Sequence, residues 1–284
     1  MTGPLIHERG ETTPPHGDVI RLDIRRPPQG EPRSAVLVAH GFKGFKDWGF
    51  FPYLCERLAR DGHLVVSFNF SLNGTGPKLL EFTDLDAFGR NTVSRELDDL
   101  HWMVDRMLAG EWSDGTAPEY VGLLGHSRGG GTSVITTAEH QGVSALVTWA
   151  AVATLQRWSE QQVADWQARG VTWITNARTG QEMPLYGTLW EDFNDNGARL
   201  DVLAAAARVR VPWLIVHGSE DPTVAVAEAR QLHEAGSGSS LRVVEGSGHT
   251  FEAVHPPREA TPGLIAAVEA SLQHFRISLR GSRQ

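Results

Sequence analysis

The chain has 284 residues, of which 40% are hydrophobic and 21% are charged. A chain of this length can bury roughly three quarters of its unfolded surface, which is enough for one large α/β domain with a small insertion. Its composition is not that of a disordered protein. The formal net charge of -8 argues against a role in binding nucleic-acid phosphates.

The single cysteine, Cys55, excludes an internal disulfide bond and a multi-cysteine metal site. Residues 1–18 contain no apolar run of the length that a secretory signal requires, and no segment has the ~18 consecutive apolar residues of a membrane-spanning helix. The sequence contains no paired-histidine motif typical of zinc sites. We therefore expect a soluble, cytoplasmic protein that needs no cofactor and binds neither nucleic acid nor membrane, and that is a monomer or a homodimer.

Short segments spread along the chain have the residue patterns of β-strands. Residues 19–25 alternate between apolar and polar side chains, which predicts a strand with one exposed face. Nearly continuous apolar runs predict buried strands at residues 34–39, 64–70, 120–124, 145–149 and 213–216, and a weaker run predicts one at 241–244. Strands that are apolar on both faces are typical of a parallel sheet that helices cover.

Helical patterns lie between these strands. Apolar residues that recur at steps of three and four predict helices over residues 51–59, 93–108, 129–135, 204–207 and 261–275. Thr261 and Pro262 suit the N-cap and the first turn of the last of these helices. The alternation of strands and helices predicts an α/β fold, a mostly parallel twisted sheet with helices on both faces.

Residues 150–210 interrupt this alternation, because they contain no obvious sheet strand. We predict a core of residues 1–149 and 211–284, with residues 150–210 as a lid or cap insertion over the carboxyl ends of the strands, where open α/β sheets bind ligands. Five of the nine tryptophans fall between residues 149 and 190. The candidates for substrate binding are therefore Trp158, Trp166, Trp173, Tyr186 and Trp190. The alternative is that each of them only fills the insertion's own small core.

The strongest local signal is the sequence Gly-His-Ser-Arg-Gly at residues 125–129, between a predicted strand and a helical pattern. A G-x-S-x-G motif in this context is typical of a nucleophile elbow, in which the serine projects above the sheet. The glycines let the backbone turn sharply without Cβ clashes, and the N–H groups that open the helix favour developing negative charge. Ser127 is the candidate nucleophile. The alternative is a glycine-rich turn without chemistry.

A serine hydroxyl needs a general base, typically a histidine that a carboxylate holds in place. His249 lies in a glycine-flanked loop after the last predicted strand, and Asp221 follows the strand predicted at 213–216. The order Ser127, Asp221, His249 is the one expected of this architecture. Two alternatives remain open for the acid: Glu220 could take this role, and Asp221, which precedes a proline, could merely cap the next helix.

The oxyanion of a tetrahedral intermediate needs N–H donors. We predict that these are the backbone N–H of Arg128, directly after the nucleophile, and that of Phe42, in the loop after the strand at 34–39. Gly41 gives that backbone room for a close approach, and His40 suits a structural hydrogen bond better than a catalytic role. The alternative for this loop is an ordinary glycine turn.

The chain resembles the α/β-hydrolase superfamily over about residues 18–276. The matching segments are residues 40–42, 125–130, 217–221 and 248–249. Within the superfamily the chain looks most like bacterial carboxylesterases related to the cinnamoyl/feruloyl esterase and dienelactone-hydrolase-like group, because of its compact His-Gly-Phe loop and short insertion. Dienelactone hydrolases use a cysteine nucleophile and haloalkane dehalogenases an aspartate, whereas this chain has Ser127.

The resemblance and the candidate residues together predict a serine hydrolase that cleaves carboxylic esters through an acyl-enzyme. Aromatic residues on the insertion favour small aromatic or short-chain esters as substrates. The same three residues would also serve a thioesterase, an acyltransferase or a peptidase. A non-catalytic binding protein on the same fold is a further alternative, because a fold does not determine a function.

Overall fold

The computed structural model describes residues 3–27, 32–113 and 115–280. Within these residues an eight-stranded sheet has the strand order β1-β2-β4-β3-β5-β6-β9-β10. Its strands are β1 (Ile6–Thr12), β2 (Ile20–Arg26), β3 (Ser34–Ala39), β4 (Leu64–Asn69), β5 (Tyr120–His126), β6 (Val143–Trp149), β9 (Trp213–Gly218) and β10 (Ser239–Val244). Strands β7 (Val171–Thr175) and β8 (Glu182–Tyr186) form a separate antiparallel pair.

The helices of the described residues are α1 (Phe51–Arg60), α2 (Leu85–Arg90), α3 (Val93–Leu108), α4 (Arg128–Glu139), α5 (Glu160–Arg169), α6 (Gly187–Asn196), α7 (Val202–Ala206), α8 (Val226–Ala235) and α9 (Pro262–Ser278). None of them is long and apolar enough to cross a membrane. Two apolar clusters lie on opposite faces of the sheet: α1 and α9 cover one face, and α3, α4, α7 and α8 cover the other.

Strand β3 shows how the sequence pattern creates these two faces. Its residues Ala35, Leu37 and Ala39 belong to the cluster with α3 and α4, whereas Val36 and Val38 belong to the cluster with α1 and α9. Strand β2 runs antiparallel to β1 and β4, and the pairings from β4 to β10 are parallel. The predicted α/β fold, a mostly parallel sheet covered by helices, is confirmed.

Sequence patterns missed strand β1, which pairs with β2 at the edge of the sheet. Five of its seven residues are exposed, so it lacks the apolar face on which strand prediction depends. The short helix α2 and the elements α5, β7, β8 and α6 of the insertion were also not predicted, whereas the helix predicted at 204–207 corresponds to α7 (Val202–Ala206). Residues 1–2 and 281–284, the ends of the predicted core, lie outside the described residues.

The insertion packs around its own aromatic side chains. The Trp166 ring is buried and lies 5.2 Å from the ring of Trp158 and 6.0 Å from that of Trp190. The β7–β8 turn reaches the loop after β3, where Arg178 donates to the carbonyl oxygen of Lys43 at 2.9 Å. Residues 150–210 add no strand to the central sheet in the part of the chain that the structure describes. That they act as a lid stays a prediction.

His40 anchors the loop that follows β3. Its Nδ1–H donates to the Gly41 carbonyl at 2.8 Å, and its Nε2 accepts the N–H of Phe70 at 3.3 Å. Full burial of the ring lowers the pKa of His40 to about 4. The fold therefore holds this imidazole in its neutral form, because protonation of Nε2 would break the hydrogen bond from Phe70.

This neutral histidine should make stability depend on pH. In the unfolded chain the pKa of this imidazole is about 6.5. The stabilising contribution of the neutral ring to the free energy of unfolding is therefore complete above pH ~6.5. It is lost as the pH falls towards the folded-state pKa of about 4. As the pH falls over this range, the free energy of unfolding should decrease for both proteins, but less steeply for the His40→Gln variant than for the wild type. The two slopes should differ by about 1.4 kcal/mol per pH unit. Urea denaturation at several pH values measures both slopes, and equal slopes would contradict the assignment.

Candidate active site

Ser127 lies between the end of β5 and the start of α4, in a backbone conformation with φ 57° and ψ -122°. A side chain on Gly125 would put its Cβ 2.2 Å from the carbonyl oxygen of Gly129. A Cβ on Gly129 would lie 2.2 Å from the carbonyl oxygen of His40. The two glycines therefore permit a turn so tight that the serine projects from it at the carboxyl edge of the sheet.

The structure brings Ser127, His249 and Asp221 together in one chain of hydrogen bonds. The Ser127 hydroxyl donates to His249 Nε2 at 3.1 Å, and His249 Nδ1–H donates to Asp221 Oδ2 at 2.7 Å. Asp221 follows β9 and His249 follows β10. These strands are parallel neighbours, so their carboxyl ends lie at the same edge of the sheet. The arrangement allows the imidazole to take a proton from the hydroxyl while the carboxylate holds the ring.

The Asp221 carboxyl group is buried and accepts several hydrogen bonds. Oδ1 accepts the N–H groups of Thr223 and Val224 at 2.8 and 2.9 Å. Oδ2 faces His249 and lies 3.4 Å from His217 Nε2. Burial alone would raise the pKa of Asp221, but the interactions with His217 and His249 and the Val224 N–H hold this pKa well below its ordinary value. The group is therefore ionised at neutral pH.

The two alternatives considered for the acid can be compared with this geometry. Helix α8 begins at Val226 with Ala225 as its N-cap, so Asp221 does not cap it. Its Oδ1 organises the preceding turn, while its Oδ2 remains available to His249. Glu220 does not occupy the position beside Nδ1 of His249, which Asp221 takes.

Two residues that the sequence analysis did not single out support the His249 loop. His126 Nε2–H donates to the His249 carbonyl at 3.0 Å, and the two rings lie 4.7 Å apart. Burial, with a smaller contribution from the neighbouring imidazole of His249, lowers the pKa of His126 to about 3. The Glu252 carboxylate accepts the Gly248 N–H at 2.7 Å and the Ser247 hydroxyl at 2.9 Å. In the sequence, only its position inside the G-x-S-x-G motif pointed to His126, and no pattern pointed to Glu252.

The loop after β3 lies directly against the nucleophile, since a Cβ on Gly41 would be 2.9 Å from that of Ser127. Among the described residues, neither the Phe42 nor the Arg128 backbone N–H has a hydrogen-bond partner. The Arg128 guanidinium lies 4.9 Å from the centre of the Phe42 ring and donates to Glu96 at 3.0 Å. These contacts connect the two segments that carry the predicted oxyanion donors.

Ser127 and His249 line a cavity of about 210 Å³. Its other side chains include the aromatic rings of Phe42, Trp48 and Phe51 and the polar groups of Lys43, Asn176 and Arg178. A cavity of about 700 Å³ also exists between β10 and α9, but its walls contain none of the candidate catalytic residues. Of these two cavities the smaller one is therefore the candidate substrate site.

The structure does not bring the five aromatic candidates of the insertion into this cavity. Trp158 comes nearest, with its ring 6.2 Å from that of Phe42. Trp166 and Trp190 stack on each other, and Trp173 is 53% exposed. The hydroxyl of Tyr186 donates to Asp86 at 3.2 Å. The part of the insertion that lines this cavity is instead residues 176–178 of the β7–β8 turn. These residues are not aromatic, so the search for aromatic side chains missed them.

Comparison with known proteins agrees with this architecture. Est1E from Butyrivibrio proteoclasticus has 16% identity and a TM-score of 0.69, with 95% of this chain and 98% of that chain covered; a second Est1E structure contains ferulic acid. Dienelactone hydrolase from Anabaena variabilis has 16% identity and a TM-score of 0.64, with 97% and 99% covered. A puromycin hydrolase has 20% identity and a TM-score of 0.63, with 96% of this chain but 39% of that chain covered.

No curated protein matches the sequence. The family model described as the alpha/beta hydrolase family matches residues 35–263, which is most of the chain and includes Ser127, Asp221 and His249. The structural neighbours include esterases and a dienelactone hydrolase, the group that the sequence motifs resemble. The chain belongs to the alpha/beta hydrolase family.

Proposed function

We propose that this protein is a serine hydrolase that cleaves carboxylic esters through an acyl-enzyme. The observation that carries the proposal is the continuous hydrogen-bonded series Ser127–His249–Asp221 at the wall of a cavity. The backbone N–H groups of Phe42 and Arg128, which have no hydrogen-bond partner in the part of the chain that the structure describes, lie on the segments that flank the serine. Nucleophile, base, acid and oxyanion donors are the parts that acyl transfer requires.

In the first half-reaction Ser127 Oγ attacks the ester carbonyl carbon while His249 Nε2 accepts the hydroxyl proton. The Phe42 and Arg128 N–H groups stabilise the oxyanion of the tetrahedral intermediate. His249 then donates its proton to the leaving alcohol oxygen as the carbon–oxygen bond breaks. The ionised Asp221 holds the imidazole in the tautomer with its proton on Nδ1 and stabilises the imidazolium that forms.

In the second half-reaction a water molecule replaces the alcohol. His249 takes a proton from this water, and the hydroxide equivalent attacks the acyl carbon of the ester on Ser127. Collapse of the second tetrahedral intermediate returns the proton to Ser127 and releases the carboxylic acid. This cycle uses residues of this chain and one water molecule.

The cavity supports small esters as substrates. A volume of about 210 Å³ with three aromatic rings in its wall suits a short or small aromatic group. A peptidase is the second candidate, because a puromycin hydrolase is among the structural neighbours. That neighbour is matched over only 39% of its length, whereas Est1E, which binds ferulic acid in one structure, is matched over 96% of its length. We therefore favour an esterase.

The first test replaces the nucleophile. The Ser127→Ala variant should lose about 10⁴-fold or more of kcat for p-nitrophenyl acetate, because Ser127 is the residue of the described chain whose hydroxyl is hydrogen-bonded to His249 Nε2. Labelling by a fluorophosphonate probe should disappear in parallel, and the circular dichroism spectrum should stay unchanged. Ser237→Ala, at an exposed position, is the matched control and should keep both properties. Turnover by Ser127→Ala at the wild-type rate would refute the proposal.

A second test addresses the acid and the pH dependence. Asp221→Asn should lower kcat by about 10⁴-fold, because an amide favours the wrong tautomer of His249.

The pKa of Asp221 lies well below its usual range, so the carboxylate stays ionised between pH 5 and pH 8. Only neutral His249 can accept the Ser127 proton, and kcat/KM of the wild type should therefore be higher at pH 8 than at pH 5. A flat profile would argue against His249 as the base.

A further inference from the structure

Besides its aromatic rings, the cavity has a polar wall formed by Lys43, Asn176 and Arg178. Asn176 and Arg178 belong to the β7–β8 turn, and Lys43 follows the predicted oxyanion donor Phe42. Arg178 connects the three: its guanidinium donates to the Lys43 carbonyl at 2.9 Å, and its backbone N–H donates to Asn176 Oδ1 at 3.1 Å. The insertion and the core therefore form this polar wall together.

The two charged side chains of this wall are both cations. Among the described residues, neither Lys43 nor Arg178 forms an ion pair, and no carboxylate lines the cavity. The Lys43 ammonium donates only to the Thr175 carbonyl, at 3.3 Å. Burial lowers the pKa of both groups, and the charge of Arg178 lowers that of Lys43 further. Two like charges in a partly buried cavity are unfavourable without an anion between them.

Asn176 adds a buried donor that has no acceptor. The residue is 2% exposed, and its Nδ2 is buried without a hydrogen-bond partner among the described residues. Its Oδ1 accepts the backbone N–H of Arg178 at 3.1 Å. Buried polar atoms are normally paired, so the Asn176 Nδ2 is a donor for which the described residues provide no acceptor.

The surroundings position these donors without neutralising them. The Arg178 guanidinium lies 5.5 Å from the Phe45 ring centre and 5.6 Å from that of Trp48. Glu81 lines the adjoining cavity with Asn176 and Arg178, but it pairs with Lys78 at 3.4 Å. Lys43 has a φ of 55°, in the left-handed region that is unfavourable for a residue with a side chain. Such strain is concentrated at functional sites.

We propose that the ester substrate carries a free carboxylate, which Lys43, Arg178 and Asn176 bind while Ser127 attacks the ester carbonyl. This inference rests on the proposed esterase function and specifies its substrate class. A carboxylate has oxygen lone pairs for all three donors and supplies the anion that the two cations lack. The protein as a whole has a net charge of -8, which repels anions. A local pair of cations would therefore direct an anionic substrate to this cavity in preference to the rest of the surface.

Matched ester pairs test the inference and show which part of the substrate carries the charge. In the first pair, monomethyl adipate is compared with neutral dimethyl adipate, and its carboxylate lies on the acyl side of the ester. In the second pair, 3-acetoxybenzoate is compared with neutral methyl 3-acetoxybenzoate, and its carboxylate lies on the alcohol side. We expect kcat/KM to be about tenfold higher for the charged member of one pair. This preference should decrease between 20 and 500 mM NaCl, because salt screens the attraction.

Variants of the wall supply the second readout. Arg178→Met and Lys43→Met should each reduce the charged-to-neutral ratio of kcat/KM about tenfold. The matched control is Arg169→Met on α5, whose guanidinium pairs with Asp165 and does not line the cavity; its ratio should equal that of the wild type. Because the wild-type preference and its salt dependence need no variant, the test does not depend on how well the variants fold.

The outcomes separate this inference from the proposed function. Ser127-dependent hydrolysis of the neutral esters without a preference for either charged ester would overturn the carboxylate inference alone. A preference that survives in both Arg178→Met and Lys43→Met would overturn it as well. If the wild type hydrolyses none of the four esters, the esterase proposal itself fails, and the carboxylate inference fails with it.

Discussion

The close packing of three backbone segments around Ser127 is the constraint on which the site depends. Gly125 and Gly129 come so near to neighbouring carbonyl oxygens that neither position has room for a Cβ atom. At Gly41 the loop after β3 also lies against the serine, since a Cβ there would be 2.9 Å from that of Ser127. This packing brings the Ser127 hydroxyl, the loop that carries Phe42 and the start of α4 together. A larger residue at Gly129 would push the β3 loop away and separate these groups.

Hydrogen bonds from buried groups then hold the remaining side chains around the serine. His40 fastens the β3 loop to the residue after β4, and His126 fastens the His249 carbonyl. The pKa of each ring is lowered by burial, so both rings are neutral and act as fixed donors and acceptors. Asp221 is the contrasting case, because its hydrogen bonds keep a buried carboxyl group ionised. The fold thus sets the charge of each group as well as its position.

The cavity has contributions of two kinds. The sheet and its loops provide Ser127, His249, Asp221 and the Phe42 and Arg128 N–H groups, to which the proposed function assigns the acyl chemistry. The insertion reaches this cavity only through the β7–β8 turn, where it adds Asn176 and Arg178 beside Lys43. The aromatic residues of the insertion stabilise the body that presents this turn. In the proposed function, the catalytic groups therefore come from the core, whereas selectivity is shared between the insertion and the loop after β3 that carries Lys43.

The sequence by itself determined the α/β fold, the strands from β2 to β10 of the central sheet, and the candidate residues Ser127, Asp221 and His249. These features depend on local patterns: apolar runs, glycines around a serine, and polar residues at strand ends. Only the tertiary structure decided that residues 176–178 line the cavity, that His126 and Glu252 hold the His249 loop, and that Trp166 packs inside the insertion. Those properties arise from contacts between distant segments, and composition cannot show which side of an aromatic-rich insertion faces the cavity.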